Sequence, residues 1–135
     1  MAVNTAPIYT KTPKIAFGSV ATANTAKDGT GTVVTVFTAG VDGSYVGSLV
    51  FRAKGTNTQT VVRVFINNGS DQATATNNTL IAEMTLPATT LSETTQLAHQ
   101  ELVLNRTLPA GYKINITIGT TVSAGYAVTC FGGDY

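Results

Sequence analysis

Runs of β-branched and aromatic residues return about every fifteen residues between Phe17 and Phe131, with Gly, Asn, Asp and Thr in the gaps. Eight such runs fill the chain, and no apolar stripe of period 3.6 persists anywhere. A chain punctuated in this way closes into packed antiparallel sheets, because each short strand has one face to bury. The spacing predicts an all-β fold, a single eight-stranded antiparallel β-sandwich. The 135 residues make one domain, and a chain of that size buries roughly two-thirds of its unfolded surface without a metal or disulfide.

The predicted strands are 15–20, 32–39, 45–54, 59–67, 79–86, 97–104, 112–119 and 126–131. Turn signals separate them: Lys27-Asp28-Gly29, Val41-Asp42-Gly43, Gly55-Thr56-Asn57, Asn68-Gly69 and Pro109-Ala110-Gly111. Between 88 and 98 a single helical turn would fit. Tyr112, Ile114, Ile116 and Ile118 alternate with Lys113, Asn115 and Thr117, a pattern of one-sided burial. Leu80, Ala82, Met84 and Leu86 alternate with Ile81, Glu83 and Thr85 in nearly the same way.

Two strands depart from one-sided burial. Val33, Val34, Val36 and Phe37 are apolar on both faces around Thr35, as are Val61, Val62, Val64, Phe65 and Ile66 around Arg63. Their outer faces need a cover, either a loop or arm of the same chain or another subunit, and apolar patches of this kind mark interfaces. Val33, Phe37, Val61, Arg63 and Phe65 are therefore candidate interface residues. Residues 1–14 read as an extended N-terminal arm and 15–135 as the sandwich domain. Pro7 and Pro13 keep the arm out of a central strand. It is either a frayed end or a segment that docks on a neighbour, with Ile8 and Tyr9 as apolar anchors and Lys11 and Lys14 for acidic groups.

Seven acidic residues nearly balance eight basic ones, which leaves no basic stripe for nucleic acid. Thr is the commonest residue, suited to strand positions facing water. Nothing long and apolar enough to span a membrane is present, and the first residues lack the charged and apolar regions of a secretory signal. Folding in a cytoplasm is the expectation. The sequons at Asn68, Asn77, Asn105 and Asn115 are then chance matches. The single Cys130 lies in a strand pattern and is expected to be buried and inert.

No catalytic residues are assigned. His99 is the only histidine. It alternates with Glu101 on one strand face and reads as a solvated strand residue, with no nucleophile elbow to serve. Glu83 and Glu101 are the one strand-borne carboxylate pair that would suit glycoside hydrolysis. Zinc-ligand spacings, phosphate loops and dinucleotide fingerprints are lacking. Asp28, Asp42, Asp71 and Asp134 read as turn formers, so neither metal nor cofactor is expected. A carbohydrate-binding module is the rival among binding functions. The chain has five Tyr but no Trp for a sugar platform.

Residues 108–121 with 124–129 resemble the closing hairpin of jelly-roll subunits that assemble as trimers. With 24–31, 64–69 and Gly132-Gly133-Asp134-Tyr135, nearly the whole chain is similar to a family of small virion proteins of tailed bacteriophages. That resemblance implies a jelly-roll-like fold and a capsid decoration or cement protein on the capsid surface, with a head-fibre or tail-fibre component as a close variant. It implies a homotrimer, with the major capsid protein as partner. A carbohydrate- or receptor-binding sandwich, at a fibre tip or secreted and directed at a host surface glycan, is the alternative.

Overall fold

The computed structural model describes residues 8–97 and 99–135; residues 1–7 of the arm, Pro7 included, and Ala98 lie outside it. Eight strands follow one another: β1 (Thr12–Val20), β2 (Val34–Thr38), β3 (Ser44–Ala53), β4 (Thr60–Asn67), β5 (Asn78–Leu86), β6 (His99–Leu108), β7 (Lys113–Ile118) and β8 (Tyr126–Asp134). They form two four-stranded antiparallel sheets, in the orders β1-β8-β3-β6 and β2-β7-β4-β5. The pairings are nested: β1 with β8, β2 with β7, β3 with β6 and β4 with β5. The chain is thus a long hairpin, its tip between β4 and β5, rolled up so that β3·β8 and β4·β7 close the two sheets. That is the jelly roll.

The inward residues meet between the sheets. Phe37, Leu49, Phe51, Val62, Val64, Leu86, the three isoleucines of β7, Tyr126, Val128 and Cys130 are all buried in one cluster. The one described helical turn is a three-residue 3-10 turn at Ala75–Asn77, in the loop before β5 and not in 88–98. β1 begins three residues earlier than expected, so Thr12–Lys14 belong to the sandwich and not to the arm. Pro13 is tolerated there because β1 is an edge strand.

Irregular pairings account for much of what simple alternation misses. β5 carries an extra residue, Ile81, opposite the step from Val64 to Phe65. This turns Leu80 to the outer face beside Phe65, whereas strict alternation placed it with Ala82 and Met84. Gly47 is the extra residue of β3, and the paired stretch of β6 contains Asn105 at φ 47°. At the same level a Cβ on Gly132 would lie 2.2 Å from the Tyr45 carbonyl oxygen. The backbones there are too close for a side chain.

Candidate interaction surface

The outer faces of the two sheets have different fates. On β2-β7-β4-β5, the loop between β1 and β2 crosses the surface. Ala23 bridges to Ile118, and the Asn24 N–H donates to the Ile118 carbonyl at 2.8 Å. Further along, Gly29 rests on Phe65 and Asn78, and Gln72 Nε2 donates to the carbonyls of Gly29 and Gly31. Asn24 organises the turn by donating to the Thr30 and Thr32 carbonyls, and Asp28 accepts from Thr30 N–H and hydroxyl. Beneath this cover Phe65, Asn115 and Thr117 are all buried although they point away from the core.

This corrects part of the interface expected from sequence. Phe65 and Phe37 are 0% and 1% exposed, so neither is available to another subunit. Phe65 is covered by the chain's own loop, and Phe37 turns inward beside Val36 at the register shift of β2. Lys14 stands 4.8 Å over the Phe37 ring and pairs with Asp134 at 3.2 Å, so its acidic partner is internal. Val33 and Val61 are half-buried. Arg63 donates to Glu83 at 2.7 Å, while its Nη1 and the Thr117 hydroxyl, opposite it in register, are buried without partners among the described residues. Of the arm, Ile8 and Tyr9 are exposed, and the Lys11 N–H is held by the Asp134 carbonyl.

The other sheet has a bare outer face that single-strand reading missed. Its register sets side chains in rows across four strands. One row is Ile15, Phe131, Ser48 and Val103. The next is Phe17, Thr129, Val50 and Glu101, and the third is Ser19, Ala127, Arg52 and His99. Phe17 is 78% exposed, Ile15 and Val103 62%, and Phe131 42%. The reason lies in the middle of β1, whose inward positions between Lys14 and Val20 are Ala16 and Gly18. A Cβ on Gly18 would come within 2.8 Å of Val34 Cγ1, so this part of β1 packs too closely to take large residues inward. Its bulk faces out.

No protein-family model and no curated protein matches the chain. Among solved structures, the capsid asymmetric unit of cyanophage Pam1 aligns over 97% of this chain and 91% of that one, at 20% identity and a TM-score of 0.44. The T13 particle of infectious bursal disease virus aligns over 96% of this chain and 35% of its own, at 16% identity and a TM-score of 0.32. Identity this low and superposition this loose carry no functional inference.

The residues that would carry chemistry are dispersed. Glu83 and Glu101 stand on opposite outer faces of the sandwich and cannot flank one sugar. His99 and Glu101 share the bare face as exposed residues. No group of three metal-ligating side chains occurs among the described residues, and no described helix is long and apolar enough to cross a membrane. Burial pushes the Cys130 thiol up to about 12, which leaves it a poor nucleophile. Asp134 is not in a turn but at the end of β8, where the Ser44 hydroxyl and Lys14 hold its carboxyl below the ordinary range. Asn57, which the sequence reading passed over as part of a turn, is 3% exposed. Its side chain accepts from Ala124 and Gly125 N–H and donates to the Gly125 carbonyl, fixing the loop before β8.

Proposed function

We propose that this chain is a non-enzymatic structural protein of a bacteriophage particle, a decoration protein that binds the capsid exterior as a homotrimer. The observation that carries the reading is the bare apolar face of β1-β8-β3-β6, on a jelly roll whose other outer face is partly covered by its own loop, over Phe65. A sandwich built to work alone in water would cover or charge such a face. The fold is one that capsid and lectin domains share, so the face and not the fold favours an assembly role. The trimer expectation drew on the two-faced strands 33–37 and 61–66 and on the resemblance to trimeric jelly-roll subunits; with Phe37 and Phe65 buried, the exposed Ile15, Phe17, Phe131 and Val103 support it instead. The segments resembling phage virion proteins are structural here. Asn24 and Gly29 build the covering loop, and Gly132 permits the close approach of β3 and β8.

The sugar-binding alternative would need an exposed aromatic platform beside polar side chains. Phe17 and Phe131 lack hydrogen-bonding groups, and the strand positions beside them offer only the small hydroxyls of Thr129 and Ser48, with Arg52, Glu101 and His99 farther off on β3 and β6. The reading is tested on purified particles of a phage that encodes the chain. Antibodies against the folded chain should label intact, DNA-filled heads. Particles that carry the chain only on the tail, or not at all, would refute the decoration role.

A further inference from the structure

We infer that the outer face of β1-β8-β3-β6 is buried against neighbouring copies of this chain in a closed ring of three, Phe17, Ile15 and Phe131 of one copy seating on the shallow part of the same face of the next. The inference deepens the proposed assembly role and rests on it only for the capsid, because contact between copies is a property of the purified chain.

Three observations point to a second copy as the occupant. The first is the layout of the face. Phe17, Ile15 and Phe131 cluster at the β1 side, with Thr129, Val50 and Ala127 as a shallow apolar floor beside them. Proud side chains on one half of the face and a floor of small and β-branched residues on the other suit a heterologous contact, the proud half of one copy on the floor of the next, which closes as a ring. The second is charge. The charged strand positions of the three rows are Arg52 and Glu101, diagonal neighbours on β3 and β6, and neither forms an ion pair among the described residues; the Lys54 ammonium also reaches the third row, donating to Ser19 Oγ at 3.1 Å. A matching partner must present an apolar centre with cations and an anion at its edge. This face does so itself, and Arg52 of one copy can meet Glu101 of the next.

The third is size. Four strands about 4.8 Å apart and about nine residues long give a footprint of the order of 600 Å² in projection, and more as accessible surface. A standard specific interface takes about 800 Å² from each partner. The face is large enough for one stable contact and too small to be shared among several unrelated partners. Tyr9 and Tyr45, which line one cleft at the end of the sheet, extend the apolar area.

The test is the mass of the purified full chain by sedimentation equilibrium at micromolar concentration, with circular dichroism to check folding. The wild type is expected at three chain masses and Phe17→Asp, a change at an exposed position, at one chain mass with an unchanged spectrum. Arg52→Glu should weaken assembly at least tenfold by setting two anions together, and the double change Arg52→Glu with Glu101→Arg should restore it. Two chain masses for the wild type, lost in Phe17→Asp, would support the face and correct the trimer. A wild type that stays at one chain mass would overturn the inference, as would a folded Phe17→Asp that keeps the wild-type mass. Should Phe17→Asp fail to fold, the charge pair decides: no loss with Arg52→Glu, or no restoration in the double variant, overturns the inference.

Co-sedimentation with phage heads separates this inference from the decoration reading. An assembled wild type that ignores heads supports the face and refutes decoration. A chain that binds heads yet remains a monomer alone does the reverse, and loss of head binding in its Phe17→Asp variant would assign the face to the capsid.

Discussion

Lys14 Nζ and Asp134 Oδ2 meet at 3.2 Å across 120 residues of sequence, joining the first strand to the end of the last. The same carboxylate accepts from the Ser44 hydroxyl, and Ser44 Oγ in turn accepts from the Gly40 N–H. Through these contacts β1, β8, the start of β3 and the β2–β3 turn are tied at one end of the sandwich. Lys14 also donates to the Thr38 carbonyl of β2 at 2.6 Å, so the cluster bridges both sheets.

The Asp134 contacts should make stability sensitive to acid. Its pKa is lowered in the folded state, first by the Ser44 hydroxyl and then by Lys14. A carboxylate lowered in this way stabilises the fold fully above its unfolded value of about 4. That contribution fades as pH falls through this value and through the lower folded one. Thermal unfolding should therefore drop in temperature below about pH 4. Asp134→Asn should lose about 1 kcal/mol at neutral pH and show a shallower acid drop. Asp28, also lowered, by its bonds from Thr30, leaves a residual slope in the variant. An Asp134→Asn chain with the full wild-type acid response would remove Asp134 as its source.

The covering loop should be sensitive at Gly29. Its φ is +80°, and a Cβ would lie 2.6 Å from Asn78 Cβ and 3.1 Å from Phe65. Gly29→Ala should destabilise the fold by about 1–3 kcal/mol through strain and the lifted loop. Phe65→Ala should cost about 3–5 kcal/mol, as for a core aromatic. Urea denaturation of both variants provides the check. A neutral Phe65→Ala would mean that the loop does not seal this face.

Much of this architecture was legible in sequence. All eight strands follow from residue type and turn signals, and so does the inward alternation of β7, which carries no extra residue of its own. The faces of β4 and β5 were not legible, since a bulge at Ile81 shifts Leu80 from one side to the other. Phe65 looked like an interface residue because nothing in a local pattern reports a loop from forty residues upstream. The apolar face went unread for the converse reason. Ile15 and Phe17 look like core residues, and only the close packing of β1 on β2, visible at Gly18, shows that the small residues Ala16 and Gly18 point in.

Thr117 offers a test of the buried polar atoms. Among the described residues its buried hydroxyl has no partner opposite Arg63, and Thr and Val are nearly the same shape. Thr117→Val should therefore be neutral or stabilise by about 1 kcal/mol, because a desolvated, unpaired hydroxyl is removed. Equilibrium unfolding in urea measures this. A loss above about 1 kcal/mol would show that the hydroxyl is hydrogen-bonded in solution.

Cys130 should behave as a structural residue. It is fully buried, and its thiol is pushed up to about 12. A thiol reagent at pH 8 should label the native chain only at the rate at which it opens, and should label it within minutes in denaturant. Rapid labelling of the folded chain would place Cys130 at an accessible site and reopen a chemical role for it.

The decoration role is tested most directly by adding the purified chain to phage heads that lack it and separating them on a density gradient. The account predicts that the chain moves with the heads and saturates at a fixed number per particle. A chain that stays at the top of the gradient at tens of micromolar, where a specific attachment would be filled, would contradict it.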